Sequence, residues 1–186
     1  LKSVSFKNED EFNFAFDVVD TLARRKPNKL AMLHIDSHKN ERWFSFRDMS
    51  RYSSRAANYF KSLGIKRGDR VMLILRREYQ FWFAVLGLHK LGAIAIPASN
   101  QLMAHDLEYR FEAAGVSAIV ATGQGDVPMH IEEACKSFPD ITRIITGGRR
   151  EGWHSFDDEF RLFSDEYFRP PFDGCPCGDD IMLMFF

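Results

Sequence analysis

The residues of this chain that could do chemistry are few, and their spacing narrows them further. Thr122-Gly-Gln-Gly-Asp126 sets two glycines between a β-branched run and a helical stripe, the place that a dinucleotide-binding fingerprint occupies. Glycines there let backbone N–H groups close on a phosphate at a helix start. Pro128 stands at the third glycine position, however, so the stretch reads as a plain turn. Cys175-Pro-Cys177 suggests a metal or redox pair, but Cys135 is far off in sequence and no histidine lies nearby, so no metal ligand is assigned. The six histidines are scattered, and no serine, histidine and aspartate surround a recognisable nucleophile turn. No catalytic residue is assigned either. Trp82 and the aromatics beside it read as core, and Arg24 to Lys26 and Arg149-Arg150 as solvated basic patches, the former near a helix end where cations are favoured.

Composition limits the function classes in the same direction. A chain of 186 residues with 45% hydrophobic and 27% charged content is that of a soluble globular protein with one large domain or two small ones. A formal net charge of -1 gives no bulk attraction to nucleic acid or anionic lipid, so no nucleic-acid partner is expected. No apolar run approaches membrane-spanning length and the first residues lack an apolar signal core, which predicts no membrane span and a cytoplasmic location. Three cysteines, an odd count, argue against a disulfide framework. The absence of an initiator Met and the apolar run at 181–186 predict a longer parent polypeptide.

The elements that must position any site are organised around residues 70–98. Residues 71–75 form an apolar run of strand length, and Phe81, Trp82, Val85, Leu86 and Leu88 are too closely spaced around a helix to leave a wide polar face. That helix is expected to be covered on nearly all sides, with Glu78 in its first turn, Lys90 in its last and Gly92 as its left-handed terminus. Residues 93–96 resume extended structure before Pro97, giving a strand–helix–strand crossover with parallel strands. Upstream, Phe14, Val18 and Leu22 mark one amphipathic helix closed by Pro27. Residues 31–36 and 42–46 form a hairpin, and Ser45 with Asp48 resembles a capping box. The helix that follows carries an apolar face through Met49, Tyr52 and Ala56 and stops at Gly64.

Downstream the alternation continues: Ala104, Leu107, Phe111 and Ala114 trace a helix, 117–121 a strand, Val127, Ile131 and Ala134 a helix, and 141–146 a strand. Ser155 caps a short helix toward Phe163. The fold class is therefore α/β, a doubly wound, mainly parallel sheet with helices on both faces.

Motif by motif, the chain resembles the amino-terminal part of the AMP-forming acyl-CoA synthetases of the adenylate-forming superfamily. Trp43-Phe-Ser-Phe-Arg-Asp-Met49 is similar to that superfamily's first core motif and Leu88-His-Lys-Leu-Gly-Ala-Ile-Ala-Ile-Pro97 to its second. Leu63-Gly-Ile-Lys-Arg-Gly-Asp-Arg-Val71 is similar to its turn into the intervening strand, and Phe12-Asn-Phe-Ala-Phe-Asp-Val-Val-Asp20 to the start of the medium-chain subgroup. Asp179-Asp-Ile-Met-Leu-Met-Phe-Phe186 resembles the strand that leads into the family's phosphate-binding loop.

The resemblance implies that residues 1–186 are an incomplete amino-terminal subdomain, part of a larger domain, ending just before that loop. It implies a parent ligase that uses ATP, magnesium and CoA to activate a medium-chain or branched carboxylic acid as acyl-adenylate. The phosphate loop, the metal-linked acids and the catalytic lysine would lie outside these residues, so the chain alone is expected to be inactive and to hold no cofactor tightly. In the medium-chain subgroup a glutamine just after the second motif contacts CoA, and the matching residue is Gln101; it reads equally as an exposed loop residue. Related acetyl-CoA synthetases carry arginines that meet CoA phosphate in the loop matching 122–128, and this chain has none there, so a phosphate contact would come from elsewhere or from Arg149 and Arg150. Another adenylate-forming ligase, such as an aryl-CoA ligase, and a non-catalytic α/β binding domain are the alternatives. Self-association of the chain is also expected, through its terminal apolar strand.

Overall fold

Phe16 and Val19 set the first turns of the chain, because both must reach the core while Asp20 reaches a buried cation. The structure is a computed structural model that describes residues 9–171, Gly174, Pro176 and residues 178–186. Phe14–Asp20 winds as a π-type helical turn whose start is capped by Asn13, its side-chain oxygen accepting from the N–H groups of Ala15 (3.0 Å) and Phe16 (3.3 Å). It runs into α1 (Thr21–Arg25), so the single helix expected there is wound in two pitches. This winding buries Ala15, Phe16 and Val19 together.

The hairpin follows as β1 (Leu30–Ile35) and β2 (Glu41–Ser45), antiparallel with Leu33 opposite Trp43. Ser45 then caps α2 (Phe46–Ser62). Its Oγ accepts from the Asp48 N–H (3.2 Å), and the Asp48 carboxylate accepts from the Ser45 N–H (2.9 Å), which is the reciprocal box the sequence predicts.

β3 (Arg70–Ile74), α3 (Gln80–Leu91) and β4 (Ile94–Pro97) form the crossover, with β3 and β4 parallel and Gly92 left-handed at φ 75°. α4 (Ala104–Ala114), β5 (Val116–Thr122), α5 (Val127–Ala134) and β6 (Thr142–Thr146) continue the alternation. β7 (His154–Ser155) and a short α6 (Phe156–Glu159) complete it. The sheet order is β4-β3-β5-β6-β7, and every pairing is parallel, as expected for the four predicted strands. Residues 182–184 lie beyond β4: Ala95 donates to the Met182 carbonyl and accepts from the Met184 N–H, both at 3.0 Å.

Strand residues alternate between two cores, as a sheet covered on both faces requires. Val71, Leu73, Ala118, Val120 and Ile144 pack beneath α2 and α3, whereas Met72, Ile74, Ile119 and Ala121 pack beneath α4 and α5. Each such branched side chain contributes about 1.5–3 kcal/mol when fully buried. α2 and α3 approach so closely at Gly87 that an added Cβ would lie 2.8 Å from the Ala56 Cβ.

Two expectations about α3 are corrected. Trp82 is 51% exposed rather than core: α3 turns Phe83, Ala84 and Leu88 inward and leaves Trp82 outside, edge-on to Phe81. Glu78 lies ahead of the helix, which starts at Gln80, and serves no dipole role there. Lys90 does stand in the last turn, but fully buried, so its charge is met by Asp20 at 2.9 Å as well as by the helix end. Among the described residues no helix is long and apolar enough to cross a membrane.

Candidate functional site

Parallel strands bring their carboxyl ends to one edge of the sheet, and the loops that hold Glu78, Gln101, residues 123–126 and residues 147–150 leave from that edge. β3 sends its connection to α3 on one face, while its neighbour β5 sends its own to α5 on the other. Such a divergence opens a crevice between two adjacent strands, the usual ligand position in open α/β sheets. In this chain Glu78 leaves the end of β3 beside that crevice, and its carboxylate reaches across to the ends of β5 and β6.

The Glu78 carboxylate, in the loop after β3, accepts hydrogen bonds from the hydroxyls of Thr122 (2.5 Å) and Thr146. Both threonines are buried, at 1% and 0% exposure, and they pair in register as the last residues of β5 and β6. One side chain thus ties three neighbouring strands together at their carboxyl ends. Arg77, immediately before it, adopts φ 50°, a left-handed conformation that costs a side-chain-bearing residue about 1 kcal/mol or more. The Arg77 carbonyl also lies 2.9 Å from Nε2 of His34 on β1.

In the two loops flanking Glu78, the amides of Gly123, Gln124 and Gly147 donate to protein acceptors. In 123–126 the Gln124 N–H donates to Thr122 Oγ1 (3.3 Å) and the Gly123 N–H to the Thr146 carbonyl (3.0 Å). After β6 the Gly147 N–H donates to Asp157 (2.8 Å), and Gln80 Nε2 donates to the other oxygen of the same carboxylate (2.9 Å). The glycine loop at 122–126 is accordingly a turn bonded to its own strand ends, as its sequence predicts, although it sits at the position a phosphate cradle would occupy.

Gln101 lies on the exposed loop between β4 and α4, where its N–H donates to Ser99 Oγ (3.2 Å) and its side chain faces outward. It shares the carboxyl edge with Glu78, at the opposite end of the sheet from β7. Arg149 and Arg150 are not free basic groups. Arg149 pairs with Asp158 (2.7 Å), and Arg150 grips both oxygens of Glu132 (2.5 and 2.6 Å), which holds that carboxyl below its ordinary pKa. Trp153 Nε1 donates to Glu132 as well (2.9 Å). Beside them is a cleft of about 490 Å³ lined by the two arginines, Trp153, Ser155 and three carboxylates, Glu151, Asp158 and Glu159, a charge balance that does not favour phosphate.

Cys175 and Cys177 lie outside the described residues. Cys135 is a buried thiol whose pKa burial pushes up, which makes it inert. Among the described residues no three histidine, cysteine, aspartate or glutamate side chains gather to hold a metal. The sequence placed Glu78 on the helix rather than at this site, and singled out neither Thr146 nor Asp157. The available signal was weak: two strands each ending in threonine, with one carboxylate in the preceding crossover loop.

Comparison with known proteins relates this geometry to a family. The family description "AMP-binding enzyme" matches residues 19–186. Acyl-coenzyme A synthetase ACSM5, mitochondrial, of Rattus norvegicus is 30% identical over 164 residues, 84% of this chain and 28% of that protein. Acyl-coenzyme A synthetase ACSM4, mitochondrial, of Homo sapiens is 32% identical over 164 residues, with the same two coverages. The chain therefore spans about 28% of the length of these relatives. An anthranilate CoA ligase, AuaEII, solved in complex with anthranoyl-AMP, shares the fold with a TM-score of 0.75 at 24% identity, over 84% of this chain and 29% of that one.

Proposed function

Because the chain belongs to the AMP-binding enzyme family, we propose that residues 1–186 are an incomplete amino-terminal subdomain of an ATP-dependent acyl-CoA synthetase, ending just before its phosphate-binding loop. The family match over residues 19–186 is the observation that carries this reading. The parent enzyme joins a medium-chain or branched carboxylic acid to ATP, giving an acyl-adenylate and pyrophosphate, and then hands the acyl group to the thiol of CoA. Activation is needed because carboxylate oxygen leaves poorly and AMP leaves well. Magnesium would offset phosphate charge in that step.

Of these partners, CoA is the one that this chain's own residues are proposed to meet. From the resemblance, ATP and magnesium are proposed to be held by the remainder of the parent. The exposed Gln101 amide is proposed to donate to and accept from the pantetheine amides of CoA, forming one wall of its passage. The likeness to an anthranilate ligase carries the fold and not the acid, so the aryl-CoA ligase reading gains nothing from it. A cytoplasmic location is proposed, with Cys135 kept as a buried thiol.

The test is acid-dependent exchange of pyrophosphate into ATP, measured on this chain and on the polypeptide extended through the remainder of its reading frame, with octanoate, a branched acid and benzoate. Exchange with octanoate or the branched acid only in the extended protein supports the reading. Exchange by the 186-residue chain alone, or none by the extended protein with any acid, overturns it.

A further inference from the structure

The crevice where β3 and β5 send their connections to opposite faces has the parts of an anion site. It has two buried hydroxyl donors at adjacent strand ends, a two-glycine loop, and the start of an eight-residue helix, α5. The two hydroxyls and the amides of Gly123 and Gln124 are already engaged. The Thr122 hydroxyl that receives the Gln124 N–H passes its own hydrogen to Glu78, and the Thr146 hydroxyl does the same from the next strand. On the neighbouring loop the Gly147 N–H ends on the Asp157 carboxylate. The backbone bends into a left-handed conformation at Arg77 just before delivering Glu78 to this place. Helical periodicity alone would have put Glu78 on the helix; the chain instead spends a strained residue to turn it inward.

We propose that Glu78 is a specificity-determining residue that closes the switch-point crevice to phosphate by supplying the oxyanion itself. A carboxylate held by two hydroxyls takes the donors that an incoming phosphate would need, and its charge repels that phosphate at short range, where solvent screens least. Phosphate-bearing ligands are thereby kept away from β5 and β6. The inference concerns binding to this chain and does not rest on the ligase reading.

The experiment is a titration of the 186-residue chain with inorganic phosphate at constant ionic strength, following the backbone amide resonances of Gly123, Gln124, Gly125 and Gly147. Glu78→Gln and Glu78→Ala are titrated beside it. Glutamine keeps the length to reach both threonines and removes the charge; alanine also opens the space. The unmodified chain should show no saturable shifts at these amides. Both variants should bind phosphate there, at least about fivefold tighter than the unmodified chain, the effect of removing one unit charge about 4 Å away even at the dielectric of bulk water. Saturable binding by the unmodified chain overturns the proposal, whatever the variants do. So does a Glu78→Gln variant that keeps the parent spectrum elsewhere and gains no binding. Should Glu78→Ala lose the folded spectrum, Glu78→Gln decides alone.

Discussion

Lys90 is the residue whose surroundings are most demanding. Its ammonium is fully buried, paired with Asp20 at 2.9 Å, bonded to Ser54 Oγ at 2.9 Å, and 5.7 Å from the Phe16 ring centroid. Burial lowers its pKa while Asp20 opposes that shift. Replacing Asp20 by Asn leaves a buried cation without its counter-charge, and should cost about 3–5 kcal/mol in urea unfolding at neutral pH. Adding Lys90→Met to Asp20→Asn should recover most of that loss. Since the folded pKa of Lys90 lies below its unfolded value, the unfolded chain binds more protons and stability rises with alkaline pH. In Asp20→Asn that recovery should begin at lower pH.

His89 titrates in the acid range. Burial lowers its pKa from 6.5 to about 4, so the folded ring stays neutral while the unfolded ring protonates below 6.5. Stability should therefore fall as pH drops from 6.5 to 4, by about 3 kcal/mol in all. His89→Gln should remove this slope and leave the remaining acid dependence of the denaturation midpoint intact. Gln101 is the opposite case, an exposed side chain whose role is proposed from its place. In the full-length enzyme Gln101→Ala should weaken CoA use by about 0.5–1.5 kcal/mol, one neutral hydrogen bond, with acyl-adenylate formation unchanged. Equal losses in both half-reactions would point to folding.

At the scale of elements, local signals were legible and distant ones were not. The Ser45–Asp48 box, the left-handed Gly92 and the stripes of α4 and α5 are written within a few residues, and each forms as the sequence predicts. The Glu78 clasp joins residues 44 and 68 positions apart, so no periodicity could reveal it. The exposure of Trp82 was illegible for a related reason: a uniformly apolar helix does not say which side its neighbours will cover. Gly87 shows the same limit, since only the packed pair reveals that Ala56 and Ala57 leave no room there. Gly87→Val should separate α2 from α3 and cost about 1–3 kcal/mol or more by thermal or urea unfolding, the range for overpacking a filled core. Val71→Ala on the sheet beneath should also destabilise, but by leaving a cavity, so the two variants should differ in whether a compensating Ala56→Gly helps.

Among the described residues, the sheet is open beyond residues 182–184. Met182 and Met184 bond Ala95, so the N–H and C=O of Leu183 point away from the sheet. Flanking it, Ile181 is 59% and Phe185 70% exposed, and residues 181–186 contain neither charge nor proline. Edges left in that state pair with other chains. A second copy laid antiparallel about Leu183 would put Ile181 opposite Phe185 in both directions, which is the self-complementarity that a twofold contact requires. The 186-residue chain should therefore sediment as a concentration-dependent dimer. Phe185→Lys and Ile181→Lys should each return it to monomer, because either places a charge across from an apolar partner. A sedimentation profile that stays monomeric at all concentrations, or that neither lysine changes, would mean that this edge is not where copies meet.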